Sequence, residues 1–250
     1  MDDVGRRLLA ELLGSAMLAA LVVGSGIAAM QLSPDDVGLQ LLENAAATAA
    51  GLFAIILMFG PVSGGHFNPV VTLAEAGLGG LPWRTALAYL PAQVIGCIAG
   101  AVLANVMFAG EAVSISTTHR MTGPHFVAEI VATAGLVLLI FSLARSGRSA
   151  VAPAAVGAYI GAAYFFTSST SFANPAITVG RTFSDTFAGI APGSAPGYIA
   201  AQLVGGAVGF ALVRLLYPAL SPQAAAQAVV PVVPGPRTST AAVSADTQES

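Results

Sequence analysis

The sequence predicts an all-α membrane protein of six transmembrane helices plus two re-entrant half-helices, arranged as an inverted repeat. Three observations lead there. Of the 250 residues, 56% are hydrophobic and only 8% charged, against roughly 25% charged in a soluble domain. Six stretches, about 8–30, 41–60, 83–108, 125–144, 151–170 and 196–217, are long and apolar enough to span, which takes about 20 residues for ~30 Å of hydrocarbon. Three motifs of the first half also recur, in the same order, in the second.

The first stretch, "RRLLAELLGSAMLAALVVGSGIAAM", has arginines ahead of an apolar run, as a secretory leader does. Its length, and Glu11 inside it, read instead as a retained span after a short N-terminus, 1–7. All nine basic residues are arginine, so orientation follows from counting at alternate span ends. Arg6, Arg7, Arg84, Arg145, Arg148, Arg214 and Arg237 collect on one side; Arg120 and Arg181, with Asp35 and Asp36, collect on the other. Both termini are therefore expected in the cytoplasm of a multi-pass protein of the plasma (inner) membrane. A channel domain over 8–220 is expected, with halves of about 8–108 and 125–217. From 221 to 250 the chain mixes Pro, Ala, Ser and Thr without a helical period and reads as a disordered cytoplasmic tail.

The repeat pairs "AELLGSAMLAALVV" with "AEIVATAGLVLLIF", "VSGGHFNPVVTLAEA" with "STSFANPAITVGRTF", and "PAQVIGCIAGAVLANV" with "AAQLVGGAVGFALVRL". Offsets are 118 from Glu11 to Glu129, 106 from Asn68 to Asn174 and 109 from Gln93 to Gln202. Three spans per half is an odd number, so the second half enters the membrane from the opposite face. The two Asn-Pro segments then approach from opposite sides, each opening a helix too short to span. Irregular backbone before such a helix survives only where protein or a water-filled cavity shelters it.

Asn-Pro suits that task. Asn at the cap accepts a backbone N–H, and Pro at the next position has no N–H to leave unpaired. Two helices meeting cap to cap bring together two positive dipole ends, each worth about half a charge. The amides of Asn68 and Asn174 are then expected to face one lumen as donors that attract oxygen lone pairs and repel cations. Glu11 and Glu129, at equivalent places in the first span of each half, are expected to anchor the re-entrant loops, whose backbone groups need partners. Gln93 and Gln202 are expected to brace the same loops. His66 reads either as a lumen-facing side chain or as a loop brace.

Other functions lack their residues. Cys97 is the single cysteine and the three histidines are well separated, so no metal site, cofactor site or nucleophile–base arrangement is suggested, and no enzyme is expected. A net charge of −3 without a basic patch argues against nucleic acid as a partner. A secondary active transporter also uses inverted repeats and broken helices, but it needs a coupling site, and beyond Glu11 and Glu129 no further intramembrane carboxylate is expected.

The paired boxes "SGGHFNPV" and "SFANPA", each preceded by an "AE…G"-type span, resemble the major intrinsic protein (aquaporin and aquaglyceroporin) family over about residues 5–217. The resemblance implies a right-handed bundle with one pore per chain, assembly as a homotetramer in membrane lipid, and passive conduction of water or small neutral solutes. It places Asn68, Pro69, Val70, Asn174, Pro175 and Ala176 at the pore constriction, with Val70 in place of the usual Ala. Most members carry an arginine directly after the second box; here that position is Ile177. The remaining selectivity-filter positions match Thr48, Ser171 and either Ala162, by ungapped counting, or Tyr164, if Gly157 is the helix glycine. Arg181, four residues beyond Ile177, either stands one helical turn above the vacated position or reaches the interface or Asp185. A filter without its arginine implies bulkier cargo than water alone: polyols, urea-like amides or neutral metalloid hydroxides such as arsenite. A water-selective aquaporin is the alternative.

Overall fold

The structure, a computed structural model, describes residues 3–218. The helices are α1 (Asp3–Leu32), α2 (Val37–Ser63), α3 (Pro69–Leu78), α4 (Trp83–Met107), α5 (Gly123–Arg145), α6 (Ala152–Phe166), α7 (Pro175–Gly180) and α8 (Ala195–Leu216). Single 3-10 turns precede α6 (Ser149–Val151) and follow α7 (Arg181–Phe183). Among the described residues, six helices are long and apolar enough to cross a membrane, the fifth of them, α6, counted with its leading 3-10 turn. The tail assigned to 221–250 lies outside the described residues.

Local chemistry sets the ends. Helix α1 begins at Asp3, ahead of the apolar run, where Asp3 pairs with Arg6 and Arg7 at 3.2 Å each and its charge suits a helix N-terminus. Asp36 caps α2 by accepting from Leu39 N–H, and Thr122 caps α5 by accepting from His125 N–H. Gly64, at φ 96°, closes α2 by donating to the Gly60 carbonyl, the left-handed cap that glycine adopts without steric cost. The fifth span stops at Phe166, short of the expected 170, because the chain there leaves the helix to form the second re-entrant loop. The second half-helix is also shorter than the ten residues of α3: six residues, then a tighter turn.

Each half is organised alike. Helix α1 packs along α4 and α5 along α8, while α2 bridges α1 and α6. A Cβ on Gly96 or Gly100 would lie 2.3 Å from the Leu12 carbonyl oxygen or 2.0 Å from that of Ala16. Gly205 and Gly209, at the same offset of 109 as the glutamines, would meet the Ile130 and Ala134 carbonyls at 2.5 and 2.7 Å. The small residues thus serve close helix approach, where dispersion and short contacts replace the hydrophobic effect that lipid does not supply. Large apolar side chains such as Leu87, Ile95, Phe165 and Leu203 remain exposed on the outer surface, as suits a lipid-facing wall.

Gly100→Leu is expected to destabilise the fold by at least about 1–3 kcal/mol through overpacking, seen as loss of monodispersity and a lower Tm in detergent. Gly193→Ala, where an added Cβ meets nothing within 4 Å, should leave both unchanged.

Candidate functional site

The site is built from two loops that turn back inside the bundle, residues 64–68 and 167–174, each ending at a half-helix. Beyond Gly64 and Thr167, whose N–H groups still donate to the Gly60 and Ala163 carbonyls, their backbone amides have no helical carbonyl to reach. Two buried carboxylates take them up. Glu11 accepts from His66 N–H (3.0 Å), Phe67 N–H (2.7 Å), the Ser63 hydroxyl (2.6 Å) and Gln93 Nε2 (2.8 Å). Glu129 accepts from Phe172 N–H and Ala173 N–H (2.9 Å each), the Ser169 hydroxyl (2.6 Å) and Gln202 Nε2 (2.7 Å). Each glutamine also donates to the half-helix threonine, Thr72 or Thr178, at 2.9 Å. Four donors converge on each carboxylate, which compensates a buried charge that would otherwise be costly.

Three positions per loop take the left-handed conformation: Gly64, Gly65 and Phe67 in the first, Thr170, Ser171 and Ala173 in the second. Non-glycine residues adopt it at a cost of about 1–2 kcal/mol each. The geometry has a use. At Phe67 (φ 50°) and Ala173 (φ 48°), directly before each asparagine, it accompanies a carbonyl turned to the opposite loop. Asn68 Nδ2 donates to the Ala173 carbonyl at 2.8 Å, and Asn174 Nδ2 donates to the Phe67 carbonyl at 2.7 Å. Each asparagine oxygen meanwhile caps its own half-helix, accepting from Val70 N–H and from Ala176 and Ile177 N–H. One N–H of each amide is therefore committed across the junction, and the second remains, since an amide carries two.

A cavity lined by both asparagines opens at this junction. Leu18, Val22, Leu52, Ile56, Val71, Leu136, Ile140, Val156 and Ile160 form an apolar wall. The same cavity is lined by polar groups: Gly65, His66, Asn68, Asn174, Ser171, Thr48, Tyr164 and Arg181. Four residues expected at the constriction do not line it. Pro69, Val70, Pro175 and Ala176 are buried first-turn residues, and Val70 instead meets α8, so close that a Cβ on Gly206 would lie 2.3 Å from it. The first turn of each half-helix directs these side chains into the packing, leaving the cap side chain at the lumen.

Of the filter candidates, Thr48, Ser171, Ile177 and Tyr164 all line the cavity. Thr48 Oγ1 and the Tyr164 hydroxyl lie 3.2 Å apart, within hydrogen-bond reach. The Ser171 hydroxyl is buried without a protein partner. Ala162 is corrected: it is exposed on the outer side of α6 and lines no described cavity, because two residues along a helix turn a side chain by more than half a revolution.

Arg181 neither snorkels nor pairs with Asp185. It is buried, its Nε–H donates to the Ala188 carbonyl, and its guanidinium carbon stands 3.4 Å from the Phe172 ring centroid. Asp185 instead accepts from the Thr117 backbone and hydroxyl. Arg120, which sequence reasoning did not single out, stands beside it, donating to the Gly189 (2.6 Å) and Phe187 (2.7 Å) carbonyls, 5.7 Å from the same ring. Burial, with no carboxylate to offset it, lowers the Arg120 pKa from its ordinary value. Both arginines line a vestibule at one end of the cavity with Thr118, Thr170 and Thr186.

The other end carries a group that the sequence reading overlooked. Glu75 is buried on α3 and ion-pairs with His66 Nε2, while His66 Nδ1 lies 3.0 Å from Thr72 Oγ1. His66 thus both lines the lumen and braces the loop. Glu75 and Arg181 are separated by the same offset of 106 as the asparagines, as are His66 and Phe172. The rings of His66 and Phe172 pack edge-on against Tyr89 and Tyr198 respectively. Ser63 with Ser169, and Thr72 with Thr178, share that offset too, and carrying the repeat alignment past the boxes would have found all of them.

Comparison with known proteins places this geometry. The sequence model of the major intrinsic protein family matches residues 2–173. The chain is 49% identical over 185 residues to "Aquaglyceroporin AqpS" of Rhizobium meliloti (strain 1021), covering 74% of this chain and 78% of that protein. It is 33% identical over 180 residues to "Aquaporin NIP1-4" of Oryza sativa subsp. japonica, covering 69% of this chain and 64% of the rice protein. The fold is that of the X-ray structure of the aquaglyceroporin from Plasmodium falciparum, with a TM-score of 0.62 at 19% identity, covering 88% of this chain and 98% of that one.

Glu129→Gln keeps the shape but turns an acceptor into a donor toward amides already donating. With charge-assisted bonds worth about 1.5–3 kcal/mol each, a loss of about 3 kcal/mol or more is expected, read as a lowered Tm in detergent. Glu11→Gln should behave alike.

Proposed function

The chain belongs to the major intrinsic protein family, and on that premise we propose that it conducts small neutral hydroxylated solutes larger than water, polyols and metalloid hydroxides such as arsenite in its neutral acid form, with water also passing. Its activity is passive conduction and not enzymatic turnover. The observation that carries the cargo reading is Ile177: an apolar side chain lines the cavity directly after the second box, where most family members place a guanidinium. Selectivity in a pore rests on diameter, lining donors and the electrostatic barrier, and this substitution relaxes the last.

The lining supports the same solutes. A polyol in transit can lay its carbon backbone on the wall of Leu, Val and Ile while its hydroxyls meet the spare amide N–H groups of Asn68 and Asn174, the Ser171 hydroxyl and the Thr48–Tyr164 pair. The dipole ends of α3 and α7 and the two amides disfavour cations. In this reading the pore constriction is formed by Asn68 and Asn174, and the selectivity filter by Thr48, Tyr164, Ser171 and Ile177 with Arg181 one turn beyond. Glu11, Glu129, Gln93 and Gln202 hold the loops that present them.

The arginine distribution supports cytoplasmic termini in a plasma membrane, with the Arg120–Arg181 vestibule outward. The exposed apolar surface supports assembly as a homotetramer within lipid. A water-selective pore is the competing reading, and the Thr48–Tyr164 contact, which narrows the lumen, is what favours it.

Stopped-flow light scattering on proteoliposomes with water, glycerol and arsenite decides the cargo. Glycerol and arsenite flux above empty liposomes, insensitive to protonophore, is the expected result; water flux alone assigns the pore to water. Ile177→Arg should lower glycerol flux by about tenfold, equivalent to ~1.4 kcal/mol on the barrier, while water flux stays within about twofold, equivalent to ~0.4 kcal/mol. Unchanged glycerol flux in that variant would sink the filter assignment.

A further inference from the structure

We propose that the vestibule lined by Arg120 and Arg181 is a binding site for a small tetrahedral oxyanion, and that a bound anion closes the lumen. Two guanidinium groups line one cavity that contains no acidic side chain. Among the described residues neither has a carboxylate partner, and the nearby Asp185 is turned to Thr117. Arg181 is buried and Arg120 half-buried, and cations withdrawn from water are ordinarily paired.

The donors are also arranged for a ligand. Both side chains are pinned through Nε–H to carbonyls of one loop, Gly189 for Arg120 and Ala188 for Arg181. Arg120 spends one further amino group on Phe187. The remaining guanidinium donors carry no protein bond among the described residues. Both groups sit over one Phe172 ring, at 3.4 and 5.7 Å from its centroid, so two like charges are held close together in fixed orientations. An anion between them removes the repulsion and engages a planar fork of donors suited to oxyanions. The hydroxyl-bearing Thr118, Thr170 and Thr186 line the same vestibule and add neutral donors.

Closure follows from position. Arg181 and Tyr164 line both the vestibule and the lumen, so an anion held on Arg181 stands at the passage between them. The binding site is independent of cargo; closure rests on the channel reading given above.

Isothermal titration of the detergent-solubilised full chain with sodium phosphate, at constant ionic strength in chloride, is expected to show saturable binding. Arg120→Gln and Arg181→Gln should each weaken it by at least about tenfold. In proteoliposomes with phosphate equal on both faces, glycerol flux should fall as the site fills, and the fractional inhibition should vanish in either variant. Where a Gln variant loses monodispersity, Arg181→Lys replaces it: the charge stays but the fork is lost, and weaker phosphate binding is again expected. No binding beyond that of chloride, binding that the variants retain in full, or binding without inhibition overturns the proposal. Absence of any glycerol and water flux without phosphate would fall on the channel reading instead, and the titration tells the two apart because it needs no flux.

Discussion

The two re-entrant loops, and the half-helices they lead into, depend on finding partners for peptide N–H groups at membrane depth. Hydrocarbon offers none, and an unpaired amide there costs several kcal/mol. Two loops break the rule of continuous helix, and each is rescued by one carboxylate receiving four donors. The carboxylate is in turn affordable only because those four donors neutralise it. Loop and glutamate are thus each the reason the other can be buried. The close contacts at Gly96, Gly100, Gly205 and Gly209 serve the same end, since they bring α4 and α8, with Gln93 and Gln202, near enough to α1 and α5 to close the networks.

With the loops fixed, the lumen follows. The left-handed residues Phe67 and Ala173 turn their carbonyls across the junction, and the asparagines bond reciprocally to them. That exchange ties the two halves together and orients the amides while leaving each a second N–H. The apolar part of the lining needs no such care. It is supplied by Leu, Val and Ile of the spanning helices and by Val71 of α3, so the cavity offers apolar surface as well as hydrogen-bonding groups.

Much of this could be read before the structure was known, and the reasons for success and failure are physical. Spans are legible because hydropathy over about 20 residues is a strong signal. The caps at Asn68 and Asn174 and the paired Glu and Gln residues are legible because the repeat doubles each weak local pattern. Ala162 against Tyr164 was not decidable, since a shift of two residues in where α6 ends changes which side of the helix faces the lumen. Pro69, Val70, Pro175 and Ala176 travel with the motif, yet their direction is set by tertiary packing of a first helical turn. Arg120 sits in a segment without periodicity, and its guanidinium is held by groups distant in sequence, the carbonyls of residues 187 and 189 and the Phe172 ring. Glu75 stood within the repeated motif and was passed over because its counterpart, Arg181, is a different residue type.

That mismatch of counterparts has a physical meaning. The two loops repeat the same left-handed positions and the same carboxylate-anchored amides at an offset of 106. The charges break that equivalence: the imidazole–carboxylate pair of His66 and Glu75 at one entrance answers to the bare guanidinium of Arg181 over Phe172 at the other. The two loops therefore repeat each other in backbone anchoring and differ in charge, so the two entrances meet an incoming solute with unlike groups. A solute oxygen is drawn toward the paired amides and helix ends from either side, but only at the Arg181 end does it first pass a guanidinium.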